Sequence, residues 1–143
     1  MAEQSFSSHA KWRPAFHFVA SPIALFALGY AANSFKDAIS VASAAHLALA
    51  VTAMLALFLG RTQALSVQDR VIRLEERMRL KEVLPAEMQD KILTFTTDQL
   101  IGMRFESDAD LPDLARRVLA GEFPNQKAIK AAVKNWRPDH QRT

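Results

Sequence analysis

Two long runs without a formal charge lie back to back near the N-terminus. The first extends from Pro14 to Phe35 and the second from Ala38 to Gly60, with only Lys36-Asp37 between them. A helix of about 22 residues is roughly 33 Å long, close to the ~30 Å hydrocarbon core of a bilayer. The pattern predicts a transmembrane helical hairpin. Beyond Gly60 charged residues become frequent and apolar residues recur at helical spacing. From Arg61 to Glu82 there is no Gly or Pro, and Ala64, Val67, Val71, Leu74 and Met78 alternate at steps of three and four. That is the a/d seam of a coiled coil.

With Ala64 at position a, Arg70 and Arg77 fall at g, and Glu75 and Glu82 fall at e. Two helices leaving one membrane face run parallel, and a g residue then meets the e residue five positions later on its partner. Arg70 would face Glu75 and Arg77 would face Glu82, opposite in sign both times. Ile72 and Leu65 widen the stripe, which suits packing on the chain's own C-terminal helices equally well. Asp69–Arg73 and Glu75–Arg79 also form ordinary i,i+4 pairs.

The remainder reads as short helices. Leu84-Pro85 opens one that reaches about Leu93, with Pro85 at the first helical position. Thr96-Thr97-Asp98-Gln99 is a capping box leading into Leu100–Phe105. Ser107 caps a helix with Asp108, Asp110 and Asp113 at its start, Arg116 and Arg117 at its end, and Gly121 beyond, charges that complement the helix dipole. Asn125 caps a last helix through Trp136, stopped by Arg137-Pro138. No segment alternates with period two. The expected fold is all-α: an N-terminal flank (1–13), a transmembrane helical hairpin (14–60), a long juxtamembrane amphipathic helix (61–82) and a small cytosolic helical module (83–143).

Within the hairpin, Trp12 and Phe16 mark one interface, and Tyr30 and Phe35 the other. Pro22 predicts a mild kink. The second span is small-sided in its first half and bulky in its second. Ala38, Ala42, His46 and Ala50 share one helical face, and Ala27 and Ala31 offer a partner stripe on the first span; small residues let backbones approach closely in lipid. Lys11 and Arg13 precede the hairpin and Arg61, Arg70 and Arg73 follow it, whereas the connecting loop has Lys36 beside Asp37. The positive-inside rule then places both termini in the cytoplasm. His46 is the intramembrane group able to ionise near neutral pH; its plain reading is a neutral imidazole bonded to Ser43 or to Asn33 of the other span. His17 lies near the opposite interface, at headgroup level. Two simpler readings compete with the hairpin. One is a buried helical pair in a soluble protein. The other is a cleaved signal peptide ending near Ala32-Asn33-Ser34.

Composition alters this picture little. A mean hydropathy of -0.02 conceals an apolar half and a charged half that cancel. The chain has no Cys, so no disulfide, thiolate metal site or Cys nucleophile exists. Ser-His-acid arrangements, paired His at metal spacing and Gly-rich phosphate loops are also missing from the sequence. A calcium-loop reading of the acidic cluster fails, because Asp113 stands where Gly is required and Leu119 where the final Glu is required. The expectation is a non-enzyme with no cofactor and no metal. The last helix places Lys127, Lys130 and Lys134 on one face, a possible contact with anionic lipid. The net charge of +3 calls for no nucleic acid.

The block Val67-Gln68-Asp69-Arg70-Val71-Ile72-Arg73-Leu74-Glu75-Glu76-Arg77, with Phe16-His17-Phe18 upstream and Asn135-Trp136-Arg137-Pro138-Asp139 at the end, resembles an uncharacterised bacterial family of small two-span membrane proteins with a helical cytosolic tail. The resemblance implies a bacterial inner-membrane location and carries no activity, ligand or catalytic residue. Three functional readings remain: a self-associating membrane scaffold, an accessory subunit of a larger membrane complex, and a small channel or proton path through His46. The implied partners are membrane lipid and either a second copy or another membrane protein.

Overall fold

The computed structural model describes residues 13–138, so Lys11, Trp12 and Asp139 lie outside the described residues. The described residues are helical and connected by turns, with no strand; one isolated antiparallel bridge joins Glu106 to Trp136. They divide into two compact units, with the boundary between Leu65 and Ser66.

The first unit is built from two apolar helices. Pro22 has no N–H to give to the helical ladder, and the chain before it winds as a π-helix, Ala15–Ala20. Ser21 closes that register by donating both its backbone N–H and its hydroxyl to the Phe16 carbonyl, the latter at 2.8 Å. The kink expected at Pro22 is therefore met by a change of helical register just upstream. Helix α1 follows, Ser21–Asp37. Asn33 ties down its last turn by donating to the Asp37 carboxylate at 2.7 Å. Lys36 and Asp37 are still helical; the break comes at Ala38, which is extended. Ser40 and Ser43 then cap each other, the Ser40 N–H donating to Ser43 Oγ at 3.0 Å and the Ser43 N–H to Ser40 Oγ at 3.1 Å. Helix α2, Val41–Val83, starts there. Both Ala15–Asp37 and Val41–Val83 are long and apolar enough to cross a membrane.

α2 lends its N-terminal part to the first unit and its C-terminal part to the second. In the second unit Leu80, Leu84, Met88, Ile92, Phe95, Leu100, Met103, Leu111, Leu114, Val118 and Ile129 form the hydrophobic core. Pro85 stands before the next helix rather than inside it, and Ala86–Thr94 winds as a 3₁₀-helix. Gln89 anchors this tight segment by donating to the Leu84 and Lys81 carbonyls at 2.6 and 3.1 Å. The capping box forms as the sequence indicates: Thr96 accepts from the Gln99 N–H and Gln99 accepts from the Thr96 N–H. It opens α3, Thr97–Met103. α4, Leu111–Leu119, begins later than Ser107 predicts. Ser107 instead caps the preceding turn, accepting from the Asp110 N–H at 3.3 Å. Gly121, at φ +76°, ends α4 in the left-handed conformation. The Gly121 N–H then reaches the Val118 carbonyl and the Glu122 N–H the Arg117 carbonyl. α5, Gln126–Ala131, is capped by Asn125 and ends well short of Trp136.

Candidate self-association surface

In the second unit α2 has two unlike faces. One packs into the core: Ile72 is 6% exposed and Leu80 1%. On the other face Val67, Val71, Leu74 and Met78 are 59%, 48%, 62% and 58% exposed; Ala64, which starts the seam in the last residues of the first unit, is exposed as well. The chain's own module thus uses the edge of the stripe marked by Ile72 and leaves the a/d positions open. Fully burying an aliphatic side chain of this size is worth about 1.5–3 kcal/mol, so a row of four is a substantial unspent contact surface. Arg70, Glu75 and Glu82 flank it and are exposed. Arg77 is half-buried and turned toward its own module, where Nη2 donates to the Leu93 carbonyl at 3.4 Å. To meet Glu82 of another copy it would give up only this long bond.

Behind the seam, Arg79 pins α2 to the module. Its Nη1 lies 3.2 Å from Glu76 Oε2 and donates to the Arg104 carbonyl at 3.2 Å. Nη2 reaches Asp108 Oδ1 and the Glu106 carbonyl, both at 2.6 Å, and Nε donates to Asp108 Oδ1 at 2.7 Å. Arg79 pairs with Glu76 and Asp108 in place of the i,i+4 pair expected with Glu75. Burial pushes the Glu76 carboxyl above its usual range, against the opposing pull of Arg79. The sequence marked Arg79 only as half of a surface pair. Its role became visible only with the loop 104–108 folded against it.

The terminal Asn135-Trp136-Arg137 is a structural clasp. The buried Glu106 carboxylate accepts from the Lys134, Asn135 and Ser107 N–H groups at 2.9, 2.9 and 3.1 Å. Asn135 Nδ2 donates to Asp110 at 2.6 Å, and this bond, with that from Ser107, holds the Asp110 carboxyl below its usual range. Trp136 stacks on Phe105 with centroids 4.5 Å apart, and the Arg137 N–H donates to the Phe105 carbonyl. Capture of these N–H groups by Glu106 draws the chain out of helix after Ala131. The basic face expected of the last helix is lost as a result. Lys127 is exposed and Lys134 is off the helix, while Lys130 is buried with its ammonium 5.6 Å from the Phe105 centroid.

In the first unit, Ala31 is buried and Ala27 is exposed. The half-buried positions of α2 in this unit include Ser43, Leu47, Ala50, Met54, Leu57 and Arg61, again alternating at three and four. Of the expected small face only Ala50 belongs to this set. Ala38 lies in the turn, and Ala42 and His46 point outward. The serine cap at Ser40–Ser43 sets the phase of α2, and the bulky Leu47, Met54 and Leu57 turned inward bury more apolar area than alanines would. The two helices accordingly do not approach closely along their length. His46 makes no hydrogen bond among the described residues, since Ser43 Oγ donates to the Ala38 carbonyl and Asn33 to Asp37. Among the described residues, no group of three or more His, Asp or Glu side chains could hold a metal ion.

These features define an all-helical protein with two long apolar helices and a compact helical module that incorporates the C-terminal part of the second. The chain belongs to a family of unknown function (DUF6526), whose model matches residues 1–143. No curated protein and no solved structure matches it.

Proposed function

We propose that the protein is a non-enzymatic scaffold of the bacterial inner membrane, spanning it twice with both termini in the cytoplasm and self-associating in parallel through α2. The observation that carries this reading is the exposed row Val67, Val71, Leu74 and Met78 on the face of α2 opposite its own core. Arg70 and Glu75 stand exposed on either flank with the signs a parallel pair requires. Because the module and the seam use different faces, a second copy can dock without unfolding the first.

Charge reversal tests the pairing. Changing Arg70 and Arg77 to Glu weakens the dimer in detergent sedimentation, and adding Glu75→Arg and Glu82→Arg in the same chain restores it. Exposed pairs contribute only ~0.2–1 kcal/mol each, so the effect is modest and shrinks in high salt. A loss that the compensating changes fail to recover would assign the arginines to some other partner. Orientation has its own check: a periplasm-active reporter fused after Thr143 stays silent, and a strong signal would reverse the topology.

A second reading, an accessory subunit of a larger membrane complex, draws support from His46. In the membrane, an outward imidazole without a hydrogen bond among the described residues is costly, and a neighbouring protein could supply the partner. Stoichiometric copurification of another membrane protein would favour it.

A further inference from the structure

We infer that the end of the hairpin away from its turn holds the phosphate of an anionic phospholipid, with Arg61 as the principal ligand. This inference rests on the membrane-spanning reading above. Arg61 is the first charged residue after the run that ends at Gly60, and Arg13 is the last before the run that begins at Pro14. Both therefore fall at the depth where an apolar helix leaves hydrocarbon and meets headgroups. The Arg61 guanidinium lies 5.6 Å from the centroid of Phe16. Such cation–π contacts are attractive, more so away from water. The ring of Phe16 is itself braced edge-on by His17, centroids 5.1 Å apart. His17 Nδ1 is in turn within hydrogen-bond reach of the Arg13 N–H and carbonyl, at 3.1 and 3.0 Å. The guanidinium is thus held at one height by a packed aromatic pair.

What it is held for follows from its donors. Among the described residues Arg61 has no hydrogen-bond or ion-pair acceptor, while it is half-buried. A guanidinium resting on a ring keeps its N–H edge open, and that fork matches two phosphate oxygens. Charge then selects the headgroup. Between Arg13 and Leu65 the sole acid is Asp37, at the opposite end of α1. A zwitterionic lipid would bring its own cation to Arg61; a net-negative one would neutralise it.

The test uses the full chain purified from membranes into mild detergent and exposed to mixed phosphatidylcholine and phosphatidylglycerol, with bound lipid read by native mass spectrometry. The parent retains phosphatidylglycerol preferentially. Arg61→Gln reduces that retention about fivefold, the equivalent of one basic residue at a membrane surface. Phe16→Leu leaves the charge intact and still lowers retention, because the guanidinium is no longer held. Lys36→Gln, at the other end of the hairpin, changes nothing. Inorganic phosphate at physiological concentration does not displace the lipid; if it does, the ligand is free phosphate and the lipid assignment fails. Equal retention of both lipids by the parent, or unchanged retention in Arg61→Gln, overturns the inference while the chain remains in the membrane. Release of the parent chain by alkaline carbonate would instead overturn the membrane reading, and the lipid site with it.

Discussion

Replacing Arg79 by Met destabilises the second unit by about 3–5 kcal/mol, the cost of breaking a buried ion pair from one side. The substitution leaves the Glu76 carboxylate buried without its nearest cation and removes the donors that serve the Arg104 and Glu106 carbonyls. Thermal unfolding of the full chain in detergent, followed by Trp136 fluorescence in a Trp12→Phe background, measures it. Adding Glu76→Leu recovers part of the loss, because an apolar side chain needs no counter-charge. The defect also depends on pH. Burial raises the Glu76 pKa in the folded state above its ordinary value of about 4.5. Protonation therefore favours the folded state as pH falls through the raised pKa, and this contribution is complete once pH is below about 4.5 and lost as pH rises. The Arg79→Met defect is accordingly largest near neutral pH and smaller in mild acid. The Asp110 pKa is lowered, so its contribution has the opposite sign and is lost only as pH falls below its ordinary 3.8. A variant within about 0.5 kcal/mol of the parent, the ordinary range for a surface substitution, would show that Arg79 pins nothing.

Gly102→Val also unfolds or loosens the module, by about 1–3 kcal/mol or more through overpacking. Gly102 lies inside α3, where glycine costs about 1 kcal/mol relative to alanine, so its presence calls for a packing reason. A Cβ at this position would lie 2.8 Å from Ile129 Cγ2 and 2.9 Å from Ile129 Cβ, with the Gln126 carbonyl oxygen at 3.4 Å. α5 packs directly on the bare backbone of α3. Ile129 is buried, so it has little freedom to retreat. Ile129→Ala alone costs about 2–5 kcal/mol by opening a cavity. The pair Gly102→Ala and Ile129→Ala costs less than the two single changes added together, because removing Cγ2 relieves the shorter of the two contacts and the new Cβ fills part of the cavity. Strict additivity in thermal unfolding would mean that the close approach is not what glycine serves.

Local chemistry was the part of this fold legible in sequence. The box at Thr96–Gln99, the Asn125 cap and the glycine stop at Gly121 are each set by residues within one turn of one another. The long uninterrupted helix followed from the absence of Gly and Pro after Arg61. What escaped were features decided at a distance. Ala86–Thr94 winds as a 3₁₀-helix beneath a Gln89 side chain that reaches back to Leu84 and Lys81. The last helix stops early because Glu106, almost thirty residues upstream, captures its next N–H groups. The inward face of α2 carries Glu76 and Arg79, charged residues that a search for apolar periodicity assigns to solvent. For the same reason the a/d seam was visible as a pattern, yet only the folded chain shows it turned away from its own core.

Cysteine cross-linking in native membranes tests the central claim of parallel self-association most directly, since the chain has no cysteine of its own. Val71→Cys, in the exposed seam, and Ser66→Cys, exposed on another side of the same helix, are oxidised mildly and separated without reductant. In a parallel, in-register pair, a-position side chains meet their own copies, so Val71→Cys runs as a dimer and Ser66→Cys as a monomer. Monomer for both variants, or equal dimer for both, would contradict it.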